Sequence, residues 1–171
     1  MKVAVTGTPG VGKTSATALV RSIRVIRVND LVDEYDAITG TDEERGSKEV
    51  DVDKLKAALS KMDGDMLLEG HLSHLLGVDI AIVLRCSPAV LRERLELRGW
   101  SAAKVMENME AEAVDVILVE ALGCVPKTCE IDATGMSSEA VAKAIEEIIA
   151  GESEKYPVGN VDWSQEVMSW F

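Results

Sequence analysis

One segment near the start of the chain constrains its fold more than any other: GTPGVGKT, residues 7–14. It satisfies the pattern G-x-x-x-x-G-K-[ST] in full. An apolar stretch, Lys2 to Thr6, precedes it, and a stretch with helical spacing follows from about Lys13 to Ser22. A glycine-rich turn between a strand and a helix is typical of the P-loop. We therefore expect an α/β fold of the P-loop NTPase type.

Each residue type in this segment suits the binding of phosphate. Glycines let backbone N–H groups approach phosphate oxygens with no Cβ in the way, and the N-terminus of the following helix adds N–H donors and a positive dipole end. We expect Lys13 to contact the β- and γ-phosphates, the Thr14 hydroxyl to ligate Mg²⁺, and Ser15 to donate to the α-phosphate. The motif predicts a site for ATP or GTP with magnesium. The expected contacts are Gly7, Gly10, Val11, Gly12, Lys13, Thr14 and Ser15.

Short apolar runs alternate with helical stretches along the rest of the chain. Four further strands are predicted at Val25 to Val28, Met66 to Leu68, Asp79 to Leu84 and Thr128 to Ile131. Helices are predicted in the last part of residues 29–62, from Ser87-Pro88 to Gly99, from about Ala102 to Leu122, and from Ser138 to Ile149. This alternation is typical of βαβ units. It predicts one domain over residues 1–171, with a five-stranded parallel sheet flanked by helices.

The charge balance limits the classes of partner. The chain has 18 Lys+Arg and 30 Asp+Glu, a formal net charge of −12 at pH 7. Such a surface repels phosphate backbones and anionic lipids, so we expect neither generic nucleic-acid binding nor membrane binding. The sequence has no signal-peptide pattern, no apolar run of the roughly 18 residues that cross a bilayer, and no CxxC pair, so a cytoplasmic protein is expected. A basic protein partner remains possible.

The motifs that are missing narrow the class further. The guanine motif N-K-x-D does not occur, and the one D-x-x-G string, Asp132 to Gly135, follows the fifth strand, too late to sense a γ-phosphate. A GTPase is therefore not expected, and the chain length suits a small kinase. A kinase of small metabolites, such as a shikimate kinase relative, would explain the P-loop equally well.

Several further segments follow in order along the chain. They are Val28-Asn29-Asp30-Leu31, Asp51-Val52-Asp53, Glu69-Gly70-His71, and Leu84-Arg85 through Arg98-Gly99-Trp100, followed by Asn108 and Glu112. With the P-loop they resemble, over roughly Val3 to Ile149, the adenylate kinase isoenzyme 6 family, the coilin-interacting nuclear ATPases, whose archaeal members are named putative adenylate kinases. The resemblance implies a kinase that transfers the γ-phosphoryl group of ATP, with Mg²⁺, to AMP or another nucleoside monophosphate. It also implies ATPase activity, a role in small ribosomal subunit maturation, and contact with a basic small-subunit ribosomal protein.

The resemblance also implies roles for single residues. Arg98 and Lys13 would stabilise the transferred phosphoryl group, and Arg94 would lie near the adenine. Glu69 would hold the magnesium with Thr14, although the family usually has aspartate at that position. His71 would orient a water molecule or the transferring phosphate. The catalytic set is Lys13, Glu69, His71 and Arg98.

A monophosphate-binding flap is implied at about residues 29–52, with Asp30 and Arg45 facing the substrate, and a short lid at about residues 98–108. This acceptor side departs from ordinary adenylate kinases, which carry an arginine where the chain has Val32-Asp33-Glu34. The flap is also acidic, a poor cradle for a monophosphate. An alternative is therefore an ATP-switched ribosome assembly factor that binds a basic ribosomal protein and has little kinase activity.

The C-terminal tail, residues 151–171, changes character. It holds four of the six aromatic residues of the chain: Tyr156, Trp163, Trp170 and Phe171. We expect an extension that packs on the core. A segment that docks a partner is the alternative, because aromatic side chains are enriched at interfaces.

Overall fold

The computed structural model describes residues 1–42 and 47–171, with Ser47 described by its backbone alone. Its strands are β1 (Lys2–Thr6), β2 (Arg24–Arg27), β3 (Ile38–Asp42), β4 (Ser47–Val50), β5 (Met66–Glu69), β6 (Ile80–Arg85) and β7 (Lys127–Asp132). Its α-helices are α1 (Lys13–Thr17), α2 (Val28–Glu34), α3 (Val52–Leu59), α4 (Pro88–Leu97), α5 (Ala102–Ala113), α6 (Val116–Cys124), α7 (Ser138–Ile149) and α8 (Ser164–Met168). Short 3₁₀ helices lie at Ser73–Leu75 and Ser153–Lys155.

Five strands form one parallel sheet in the order β2-β5-β1-β6-β7. The register pairs Val5 with Glu69 on one side of β1 and with Ile82 on the other. Because the strands are parallel, their carboxyl ends meet at one edge, where ligands bind in open α/β sheets. The predicted five-stranded parallel sheet with flanking helices is confirmed.

Helices cover both faces of the sheet, as the alternation of side chains along a strand requires. Val3 and Val5 of β1 point into one core with Leu91, Leu95, Met109 and Ile145, which come from α4, α5 and α7. Ala4 points into the other core with Leu31, Leu55, Leu59 and Leu118, which come from α2, α3 and α6. The site at the edge of the sheet therefore rests on two packed layers.

The first helix is shorter than predicted. The α-helix ends at Thr17 instead of Ser22, because the following turns close by i→i+3 bonds, with Val20 N donating to Thr17 O at 3.2 Å. The Arg21 guanidinium then donates to the carbonyl oxygen of Ala18 at 2.7 Å. These contacts satisfy the carbonyl groups that a longer helix would have used.

The single helix predicted from Ala102 to Leu122 is wrong. It is divided into α5 and α6 at Asp115, whose backbone lies in the left-handed region with φ of 59°. The break turns the Asp115 carboxylate towards the buried guanidinium of Arg85, with which it forms an ion pair. The contact with Arg85 holds a conformation that residues other than glycine adopt rarely.

The predicted flap contains more structure than its polar sequence indicated. After α2, β3 and β4 form an antiparallel pair, and α3 begins at Val52 with Asp51 as its N-cap, accepting from Lys54 N at 2.9 Å. Arg45, a predicted substrate contact, lies outside the described residues.

The tail returns to the core. Tyr156 and Trp170 pack against the core that lies between the sheet and α7, whereas Phe171 is fully exposed. None of the helices within residues 1–42 and 47–171 is long and apolar enough to cross a membrane.

Candidate active site

The P-loop joins β1 to α1 in a conformation that only glycine adopts easily. Gly7 has a φ of 136°, and a Cβ at this position would lie 2.3 Å from the carbonyl oxygen of Leu84. Gly10 and Gly12 also have positive φ angles. Between them, Val11 is buried in the core, and it holds the loop against the sheet.

Lys13 opens α1 and is held beneath the loop. Its ammonium group donates to the carbonyl oxygens of Gly7 at 2.6 Å and Thr8 at 3.0 Å, and the residue is only 8% exposed. Burial lowers the pKa of Lys13 to about 8, although the Glu69 carboxylate favours its charged form. The amine therefore carries its positive charge at pH 7 in a region of low dielectric, where it interacts strongly with phosphate.

Thr14 and Glu69 form the predicted magnesium pair. The Thr14 hydroxyl donates to Oε1 of Glu69 at 3.1 Å, and Glu69 is buried at the carboxyl end of β5. Hydroxyl and carboxylate oxygens are ligands that Mg²⁺ prefers, so the pair fits this cation. No group of three His, Cys, Asp or Glu side chains that could hold a metal occurs in the described part of the chain.

Two histidines follow β5 and have different surroundings. His71 is exposed, and desolvation, followed by the charge of Lys13, lowers its pKa. His74 is buried, with Nδ1 3.0 Å from Oγ1 of Thr6 and Nε2 3.1 Å from Oε2 of Glu120. His74 therefore links α6 to the sheet, whereas His71 is a neutral imidazole that can reach a ligand.

Two arginines at the C-terminal end of α4, Arg94 and the C-cap residue Arg98, lie beside the P-loop. Nη1 of Arg94 donates to the carbonyl oxygen of Gly10 at 3.2 Å. Arg94, Arg98 and Ser15 line a cavity of about 370 Å³, together with the glycines of the loop. Its remaining walls are Val11, Leu97, Ala133, Met136, Ser138 and Val141. The cavity combines two cations with an apolar wall, which suits a purine base and the phosphates attached to it.

A second cavity of about 360 Å³ lies between α2, β4 and the turn after β5. It is lined by Asn29, Val32, Asp33, Lys48, Val50, His71 and Leu72. Lys48, which no motif in the sequence indicated, brings a positive charge to this cavity. Asp30, predicted to face the substrate, lines a different cavity beside β2, with Arg27 and Arg24.

A third cavity, also of about 360 Å³, lies between the P-loop and α5. Thr8, His71 and Trp100 line it, and the Lys104 ammonium lies 4.4 Å from the centre of the Trp100 ring. His71 thus lines both the cavity beside α2 and the cavity beside the P-loop.

Sequence reasoning missed the buried network beneath the P-loop. Arg85, 1% exposed, donates from Nε to Oε1 of Glu112 at 2.7 Å and from Nη1 to Oε1 of Glu130 at 2.6 Å. Burial opposes its charge, but the carboxylates of Glu112 and Asp115 outweigh this and raise the pKa of Arg85. Thr8 of the P-loop donates to the other Glu112 oxygen at 2.5 Å. Two charged residues at positions expected to be buried could have indicated this network. Arg85 directly follows the predicted apolar strand, and Glu112 lies at a buried position of a helix.

The fold and the loop define a P-loop nucleotide-binding protein, and sequence comparison gives its family. A model of the AAA domain family matches residues 3–115. The protein named "Putative adenylate kinase" of Archaeoglobus fulgidus is 48% identical over 172 residues, covering 98% of this chain and 94% of its own. The protein of the same name from Methanocaldococcus jannaschii is 39% identical over 176 residues, covering 99% and 97%. The chain belongs to this adenylate kinase-like family.

Solved structures with much lower identity share the fold. Shikimate kinase from Aquifex aeolicus aligns with a TM-score of 0.51 at 15% identity, over 90% of this chain and 99% of that chain. Deoxyadenosine kinase from M. mycoides, with bound dATP, aligns with a TM-score of 0.54 at 15% identity, over 88% and 100%. At this identity the alignments establish the architecture alone.

Proposed function

We propose that this protein is a nucleoside monophosphate kinase of the adenylate kinase type, which transfers the γ-phosphoryl group of ATP to AMP or another nucleoside monophosphate. One observation carries the proposal: His71 lines both the cavity between the P-loop and α5 and the cavity that contains Lys48. Because Thr8 of the P-loop lines the first of these cavities, a γ-phosphate at the P-loop and an acceptor phosphate beside Lys48 would both face this imidazole. The names of the archaeal relatives support the same activity.

On the donor side, we assign ATP to the P-loop, with its base in the cavity beside Arg94. Lys13 neutralises the β- and γ-phosphates, Arg98 reaches the γ-phosphate, and backbone N–H groups of the loop bind the remaining oxygens. Thr14 and Glu69 hold the magnesium ion. When bound, this ion neutralises the charge that develops on the phosphate oxygens.

The transfer step needs positioning more than covalent chemistry. An oxygen of the acceptor phosphate forms a bond to the γ-phosphorus while the bond from that phosphorus to the β,γ-bridging oxygen breaks, and ADP leaves in line with the attack. Lys13 and Arg98 stabilise the charge on the transferred group. Residues 98–108 act as a lid that excludes water, with Gly99, at φ of 74°, as a hinge.

On the acceptor side, we assign residues 29–52 as the flap. Lys48 and Asn29 contact the monophosphate. Arg45 remains a contact predicted from the sequence, whereas Asp30, which lines the cavity beside β2, is not assigned to this site. The charge of Lys48 does in part what an arginine does in other adenylate kinases, but it offers no bidentate fork. Acceptor affinity is accordingly lower than ATP affinity.

The finer family assignment is also a proposal. Residues 1–171 form a single P-loop kinase domain of the adenylate kinase isoenzyme 6 type, the coilin-interacting ATPases, and work in the cytoplasm. Because the acceptor site offers few positive groups, water competes with the acceptor and gives ATPase activity. His71, which is neutral at pH 7, can accept a hydrogen bond from that water.

A panel of nucleoside monophosphates tests the kinase activity. ADP formation from Mg-ATP is measured in a coupled assay with AMP, GMP, CMP, UMP or no acceptor. The proposal expects at least one monophosphate, AMP first, to raise the rate above background hydrolysis in a saturable way. A rate that is the same with every acceptor and without one would overturn the kinase assignment.

A second candidate function is an ATP-switched assembly factor that binds a basic small-subunit ribosomal protein. The exposed carboxylates of Asp33, Glu34 and Asp36 favour it, since they give the flap a negative surface. Pull-down of ribosomal proteins with and without ATP tests this candidate. Asp33→Asn with Glu34→Gln should weaken a salt-sensitive capture, whereas Asp63→Asn with Glu154→Gln, which removes two exposed charges elsewhere, should not. Equal capture by both pairs would count against the flap as the docking surface.

A further inference from the structure

The tail supplies the N-terminal cap of α4. Glu166, on α8, accepts from the backbone N–H of Ala89 at 2.5 Å and from the hydroxyl of Ser87 at 2.9 Å. Ala89 lies in the first turn of α4, and the side chain of Ser87, the N-cap residue, makes no capping bond of its own. A carboxylate at this position satisfies a free N–H donor and interacts favourably with the helix dipole. The sequence predicts Ser87 at this N-cap, but the acceptor comes from 77 residues further along the chain.

The other end of the same helix carries the arginines of the ATP cavity. α4 has ten residues and is about 15 Å long, so a tilt at its capped end displaces the residues at its other end. Arg94 contacts Gly10 of the P-loop, and Arg98 is the C-cap residue. A shift at the capped end therefore moves both guanidinium groups relative to the P-loop.

A second contact of the tail reaches the P-loop through the buried network. Nε1 of Trp163 donates to Oε1 of Glu112 at 3.4 Å, and the backbone N–H of Gly159 donates to Oε2 of Glu130 at 2.8 Å. Glu112 also holds the hydroxyl of Thr8. Three carboxylates share the single guanidinium of Arg85, so neutral donors are needed to satisfy their remaining oxygens. Two of these donors belong to the tail.

We propose that the tail positions the ATP site. Glu166 acts through α4 on Arg94 and Arg98, and Trp163 acts through Glu112 on the P-loop, so both are positioning residues. The inference rests on the proposed function only in placing ATP in the cavity beside Arg94. It gives the aromatic tail a role within its own chain, in place of the docking of a partner.

Glu166→Gln in the full chain tests the proposal, since it keeps the size of the side chain and removes its charge. The Kd for Mg-ATP, measured by calorimetry, should rise by up to about fivefold, the equivalent of the roughly 1 kcal/mol that a negative charge contributes at a helix N-terminus. The KM for ATP should rise, and kcat should fall as well, because Arg98 stabilises the transferred phosphoryl group. The affinity for AMP should stay unchanged, because the cavity beside α2 does not include α4. Glu154→Gln is the matched control, an exposed tail carboxylate for which the described residues provide no partner.

Trp163→Phe tests the contact between Trp163 and Glu112. It also keeps the proposal testable if Glu166→Gln fails to fold. This substitution keeps an aromatic ring and removes the indole N–H. The Kd for Mg-ATP should therefore rise about twofold, because the lost hydrogen bond is long and partly exposed. If both variants bind ATP as the unmodified chain does and only their melting temperatures fall, the tail merely stabilises the fold and the proposal is overturned. If the unmodified chain fails to bind ATP, it is overturned as well. If the unmodified chain binds ATP but phosphorylates no monophosphate, the proposed function fails while the ATP affinities still decide this inference.

Discussion

The P-loop side and the flap side of the active site are built in opposite ways. On the P-loop side, Lys13 is buried, Arg94 contacts the loop backbone, and the loop itself rests on a buried ion-pair network. On the flap side, among the residues that the structure describes, the charged side chains of Asp33 and Lys48 are exposed. Buried groups are fixed by many partners, whereas exposed ones are easily replaced. Under the proposed function, the donor side is therefore the part of the site fixed by the fold, and the acceptor side is the part that is open to change.

The largest effect is expected from Lys13→Ala. Removal of a positioned cation that stabilises transition-state charge costs about 10²- to 10³-fold in rate. The coupled assay should show this loss in kcat/KM for ATP with every acceptor. Lys61→Ala, which removes an exposed lysine remote from the site, is the control. Equal activity of the two variants would show that the buried side of the site is not the donor side.

Arg85→Met tests how strongly the buried ion-pair network beneath the P-loop stabilises the folded protein. Removing one partner of a buried ion pair lowers the free energy of unfolding by about 3–5 kcal/mol. We expect a loss of this size here, because Glu112 and Glu130 would keep buried charges without a cation. Urea unfolding should show a large fall in the midpoint. Arg92→Met, which breaks an exposed pair with Glu96, should leave the midpoint unchanged. A small effect of Arg85→Met would mean that the network does not support the loop.

The pKa of Lys13, about 8, predicts how ATP binding depends on pH. Above this pH the free protein loses the ammonium charge, while bound phosphate favours the charged form and raises the pKa. ATP binding should therefore take up a proton between about pH 8 and 10 and weaken about fivefold from pH 8 to 9. Calorimetry in buffers of different ionisation enthalpy measures this uptake. Lys13→Arg, whose guanidinium does not titrate in this range, should abolish the proton uptake. Unchanged uptake in this variant would assign the proton to another group.

A smaller effect is expected on the flap side from Lys48→Ala. The loss of one exposed contact to phosphate, about 1 kcal/mol, should raise the KM for AMP about fivefold. The KM for ATP should not change, because the cavity beside Arg94 does not include Lys48. Steady-state kinetics with each substrate varied in turn gives both constants. An increase confined to the KM for ATP would reverse the assignment of the two sides.

Features with local signals could be predicted from the sequence. The P-loop pattern predicts the strand, the loop and the helix. The bounds of α7, Ser138 and Ile149, agree with the prediction because its apolar spacing is local and its N-cap, Ser137, directly precedes it. The parallel sheet follows from the alternation of strands and helices.

Features that depend on contacts between distant residues could not be predicted from the sequence. The break at Asp115 depends on Arg85, which lies 30 residues earlier. The cap of α4 depends on Glu166, and the entry of Lys48 into the cavity of His71 depends on the β3–β4 pair. A single sequence does not indicate which of many charged residues meet in such contacts.

The fate of the γ-phosphoryl group tests the central claim most directly. Labelled at its γ-phosphate, ATP is incubated with the protein, Mg²⁺ and increasing AMP, and the label is followed into ADP and into inorganic phosphate. The account predicts that AMP moves the label into ADP in a saturable way, and that His71→Ala reduces the label released as phosphate. Label that appears only as inorganic phosphate at every AMP concentration would contradict it.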